Sequence, residues 1–107
     1  MVLTRDFNET IQVRVLRDPA FRRELLKGGI ETFLAGDVET GKALVRDYIN
    51  ATVGFEELGK ATGRSPKSLM RMLGRAGNPT ARNIFELLTF LQKREGFRFV
   101  LRPIKVA

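Results

Sequence analysis

Cysteine, histidine and tryptophan are all missing from the 107 residues. Without cysteine there is no disulfide framework, no thiol nucleophile and no Cys-based metal site. Without histidine the commonest general base and metal ligand is gone. The 12 Asp and Glu are scattered along the chain, and the adjacent pair Glu56-Glu57 points in different directions around a helix. No enzymatic centre, metal or cofactor is expected from such a set. Long apolar runs are missing too: none approaches the roughly 18 residues of a membrane span, and the first residues lack the core of a signal peptide. The expectation is a cytoplasmic protein with no membrane partner.

What the chain does contain is the composition of one globular domain, 43% hydrophobic and 29% charged. Its formal net charge of +7 is unevenly placed. Residues 54–82 hold six Lys/Arg against two Glu, whereas residues 31–53 hold two Lys/Arg against four Asp/Glu. Residues 83–107 are again basic. A localised excess of this kind favours a polyanion-binding face over general solubility.

The most informative stretch runs from Gly54 to Gly74. Phe55, Leu58, Gly59 and Thr62 fall at i, i+3, i+4 and i+7, one face of a short helix. Gly63 stands just past it, where a left-handed residue is wanted. Ser65 can then act as an N-cap, and Pro66 suits the first turn because its missing N–H would be unpaired there anyway. Leu69, Met72 and Leu73 form the inward stripe of a second helix. Two short helices joined by a glycine-containing turn are the pattern of a helix-turn-helix, whose second helix enters the DNA major groove. Lys67, Ser68, Met70 and Arg71, with Arg75 just beyond, are left on the outer face.

The rest reads as helix. Asp18-Pro19 opens one that carries Phe21, Leu25 and Leu26. The adjacent Gly28-Gly29 costs about 2 kcal/mol relative to alanine in a helix interior, which predicts a break or kink there. Asp37 caps the next helix, to about Ala51, with Leu44, Val45, Tyr48 and Ile49 inward. Thr80 caps a last one bearing Ile84, Leu87, Leu88 and Leu91, and Gly96 ends it. Phe97 to Arg102 alternates apolar and basic residues, which predicts a β-strand ended by Pro103. Phe97 and Phe99 are then two residues of one strand face, either buried or available to stack on bases. Phe7 to Leu16 fits a strand or a helix equally by periodicity, with helix favoured. Gly36 to Ala43 nearly spells the phosphate-binding loop G-x-x-x-x-G-K-[ST]. An alanine stands where the Mg²⁺ hydroxyl belongs, two carboxylates lie inside the loop, and no strand precedes it, so it reads as an interhelical connection.

From about Ala43 to Leu101 the chain resembles the lambda-repressor-like (Xre/Cro-type) helix-turn-helix regulators. Phe55, Gly59, Gly63, Leu69 and Met72 match the motif's apolar, small, turn and apolar positions. The Gly77-Asn78-Pro79-Thr80 turn, leucine-rich helix and terminal segment are similar to addiction-module antidotes of the HigA type, commonly encoded beside RelE-like toxins of the HigB type. The resemblance implies an all-α bundle with a short C-terminal strand, divided into an N-terminal helical extension (1–36) and a DNA-binding domain (37–107). It implies a repressor that binds double-stranded DNA as a homodimer, with an antitoxin that covers a RelE-like toxin as the alternative. Ser65, Pro66, Lys67, Met70 and Arg71 become the groove-facing positions, and Arg64, Ser68 and Arg75 the contacts to the DNA backbone. Two features depart from the pattern. Glu57 and Pro66 lie near positions where many relatives carry glutamine, and the extension precedes the usual first helix.

Overall fold

The computed structural model describes residues 17–107, and the ambiguous segment Phe7 to Leu16 lies outside them. Five α-helices run through the described residues: α1 (Pro19–Leu34), α2 (Val38–Ala51), α3 (Phe55–Thr62), α4 (Pro66–Met72) and α5 (Ala81–Glu95). None of them is long and apolar enough to cross a membrane.

Short polar side chains start most of these helices by satisfying amides that have no carbonyl inside the helix. Asp18 Oδ1 accepts from the Ala20 and Phe21 N–H groups at 3.0 and 3.2 Å. Asp37 Oδ1 accepts from Thr40 N–H at 3.2 Å, Ser65 Oγ from Ser68 N–H at 3.0 Å, and Thr80 Oγ1 from Asn83 N–H at 3.2 Å. Glycines in the left-handed region stop two helices, Gly63 (φ +73°) after α3 and Gly96 (φ +80°) after α5.

α1 does not break at Gly28-Gly29, contrary to what helix propensity alone predicts; the helix is continuous from Pro19 to Leu34. The reason lies on α2. A Cβ on Gly29 would stand 3.0 Å from Val45 Cγ2, and one on Gly41 would stand 2.9 Å from the Phe33 ring. The missing side chains let the two helices approach closely, and the dispersion attraction between surfaces packed this tightly offsets the propensity cost.

One core unites the described helices. Leu26 of α1 is buried in the same cluster as Val45, Tyr48 and Ile49 of α2, Leu58 of α3, Leu69 and Leu73 around α4, and Leu87, Leu88 and Leu91 of α5. A polar junction crosses it at one end. Glu95 accepts from Arg22 Nε at 2.9 Å and from the Tyr48 hydroxyl, so α1, α2 and α5 meet at one carboxylate. Burial first, and the bond to Glu95 second, push the Tyr48 phenol up from its ordinary value.

The C-terminal strand is not formed. No strand occurs among the described residues, and residues 97–107 carry no regular structure. Phe97 and Phe99 pack edge to face, with ring centroids 4.7 Å apart, and the Phe99 N–H donates to Gln92 Oε1 at 2.7 Å. The alternation that predicts a strand has no neighbouring edge to pair with among the described residues of the single chain. Val100, Leu101, Ile104 and Val106 are instead 77–82% exposed.

Candidate functional site

Helices α3 and α4 are joined by the three residues Gly63, Arg64 and Ser65. A Cβ on Gly59 would lie 2.6 Å from the Arg64 carbonyl oxygen and 3.3 Å from Pro66 Cδ. Only a residue without a side chain lets the turn fold back this tightly. The Gly63 and Arg64 N–H groups both reach the Gly59 carbonyl, at 2.9 and 3.2 Å. Leu69 and Leu73 anchor α4 from below, both almost completely buried, and half-buried Met72 packs beside them.

The structure divides the predicted site residues into two groups. Lys67, Ser68, Met70 and Arg71 are exposed on one face of α4, and Arg75 is exposed in the loop that follows. Exposure is what these five have in common; Ser68 and Arg71 line one hollow and Arg75 another. Ser65, Pro66 and Arg64 are occupied with the fold. The Ser65 hydroxyl oxygen caps α4, and half-buried Pro66 fills the space beside Gly59. Arg64 donates to Asn83 Oδ1 at 2.8 Å and to Glu86 Oε2 at 3.1 Å, so its guanidinium ties the turn to α5. Between α4 and the start of α5 lies an open hollow of about 310 Å³, with Arg64, Ser68 and Arg71 on one wall and Asn78 to Thr80 on the other.

Three residues outside the predicted set hold this surface in place. Lys42, 1% exposed on α2, donates to the carbonyls of Gly74 and Gly77 at 2.9 and 2.8 Å and pairs with Glu39 at 2.9 Å. Arg46, one turn further along α2, donates to the Leu73 carbonyl at 2.9 Å. A Cβ on Gly77 would stand 2.0 Å from the Arg71 carbonyl oxygen, so this loop lies directly against the last turn of α4. The sequence holds one signal for Lys42: it sits three residues before Val45 on the stripe that continues to Tyr48 and Ile49. A cation on an apolar stripe must find oxygen partners inside.

The lysine of the near-match to a phosphate-binding loop is thus turned inward, within a helix. Phe97 and Phe99, both half-buried, offer no pair of parallel faces for bases to stack on. Comparison of the chain with family models, curated proteins and solved structures gives no match.

Proposed function

We propose that the protein is a sequence-specific, DNA-binding transcriptional regulator that sets α4 into the major groove as the second helix of a helix-turn-helix. The observation that carries this reading is the exposed set Lys67, Ser68, Met70 and Arg71 on a short helix whose opposite side is locked into the core, with exposed Arg75 in the loop just after it. Lys67, Met70 and Arg71 read base edges; Ser68 and Arg75 meet phosphates on either side. Arg64 serves mainly to fix the turn, and Ser65 and Pro66 to start the helix at the right place. Helices this short read few base pairs, so two copies act on a two-fold related site. The exposed apolar residues after Phe99 supply material for contact between the copies. Selection of duplexes from a randomised pool tests the reading: a recurrent, two-fold related sequence supports it, and enrichment of nothing above the starting pool contradicts it.

A second reading, an antitoxin that covers a basic RelE-like toxin, draws on a different surface. Glu31, Asp37, Glu39 and Asp47 are exposed around the α1–α2 turn and α2, while the two cations of that segment, Lys42 and Arg46, are turned toward α4. Lys42 neutralises Glu39, which leaves Glu31, Asp37 and Asp47 as the outward acidic charge of the segment, and that suits a basic partner. Co-purification with the product of a neighbouring reading frame, abolished by Asp37→Lys and Asp47→Lys together, supports this role. Association unaffected by both changes removes this surface from it.

A further inference from the structure

We propose that Lys42 is a positioning residue for DNA contact, acting from inside the protein through Arg75; the inference rests on the DNA-binding reading above. Arg75 sits between two glycines, and Lys42 holds the carbonyl of each, Gly74 at 2.9 Å and Gly77 at 2.8 Å. The ammonium group has three donors, and the third is taken by Glu39 at 2.9 Å. Every donor therefore fixes something beside Arg75. Arg46 adds a fourth tie, to the carbonyl of Leu73. The loop from Gly74 to Gly77 is pinned at both ends from below, leaving the Arg75 side chain to point into solvent from a fixed backbone.

The contact with Glu39 has a second effect. Glu39, Arg46, Leu73 and Arg75 line one surface hollow of about 450 Å³. With Lys42 in place the Glu39 carboxylate is neutralised from the protein side. Without it, that carboxylate is left facing a hollow that both Arg46 and Arg75 line, where it competes with a DNA phosphate for their guanidinium groups. Loss of Lys42 thus both frees the loop and offers its arginine an internal partner. Lys42 itself, at 1% exposure, reaches no phosphate.

The salt dependence of binding separates this role from simple support of the fold. Each phosphate contact adds close to one unit to the slope of log affinity against log salt concentration. Wild type, Arg75→Ala, Lys42→Met and the double variant are titrated against a duplex that the wild type selects from a randomised pool. Each is measured at a temperature where circular dichroism shows its helices intact. Arg75→Ala is expected to reduce the slope by about 1, Lys42→Met to reduce it by the same amount, and the double variant to reduce it no further. Lys42→Gln, too short to span both carbonyls and without the charge that neutralises Glu39, replaces Lys42→Met if the latter does not fold. A Lys42 variant that keeps the wild-type slope overturns the proposal, as does one in which Arg75→Ala still has its full effect. An Arg75→Ala protein with the wild-type slope overturns it as well, by removing the contact being positioned. A wild type that binds no duplex contradicts the DNA-binding reading itself, and is thereby distinguished from failure of Lys42 alone.

Discussion

Gly63 and Gly77 are needed for different physical reasons, and single substitutions tell them apart. At Gly63 the backbone is left-handed (φ +73°), yet an added Cβ would meet nothing within 4 Å. The penalty there is torsional, so Gly63→Val is expected to cost about 1–3 kcal/mol, and Gly63→Asn, which tolerates this region, distinctly less. Denaturant unfolding measures both, and a Gly63→Val curve superimposable on wild type would contradict the left-handed turn. At Gly77 the obstacle is the Arg71 carbonyl oxygen, 2.0 Å from where a Cβ would sit. Asparagine gives no relief from a clash of that kind. Arg64 shows the same division among charged residues. It resembles Arg71 in sequence, but its hydrogen bonds to Asn83 and Glu86 make it part of the frame.

Among the elements, the junction of α1, α2 and α5 at Glu95 ties α1 to the other helices. The Glu95 side chain is 6% exposed and serves both Arg22 and Tyr48. Glu95→Ala leaves the buried Tyr48 hydroxyl without its acceptor and is expected to cost about 1–3 kcal/mol, read as a lowered denaturation midpoint; an unchanged midpoint would contradict the junction. Tyr48 is the only tyrosine, so absorbance of the phenolate reports on it alone. Its folded pKa is raised above the ordinary value of 10.0. The stability it contributes is therefore complete below pH 10 and is lost as pH climbs beyond that range. Phenolate absorbance is expected to appear only with alkaline unfolding, and in Glu95→Ala at lower pH; a free-tyrosine titration in the folded wild type would contradict the burial. The caps Asp18, Asp37, Ser65 and Thr80 are legible in the sequence because each acts within three residues of itself. Gly28-Gly29 is not, because its reason is Val45 on another helix. The alternation of Phe97 to Arg102 misleads for a related cause: a pattern of side chains says nothing about whether a paired edge is present. Lys42 leaves a visible mark, a cation on an apolar stripe, while its partners 32 and 35 residues away leave none.

At the scale of the whole molecule, exposed apolar side chains gather after Phe99, with Arg102 and Lys105 among them. The basic face of α4 and its following loop is distinct from residues 100–107, which include four large, exposed apolar side chains. If these residues join two copies, a chain ending at Phe99 keeps the Phe99–Gln92 bond and its fold. Light scattering is then expected to show a dimer for the full chain and a monomer for the shortened one. A shortened chain that remains dimeric would take residues 100–107 out of the interface. A net charge of +7 favours non-specific association with any polyanion, so binding to DNA as such decides little. Discrimination decides more. The most direct measurement compares wild type with Arg71→Ala, each titrated against a selected duplex and against the same duplex with its sequence scrambled. Wild type is expected to prefer the selected duplex, and Arg71→Ala to lose about 1–3 kcal/mol of that preference while keeping most of its affinity for the scrambled one. Equal binding of wild type to the two duplexes, or an unchanged preference in Arg71→Ala, would contradict α4 as the helix that reads DNA.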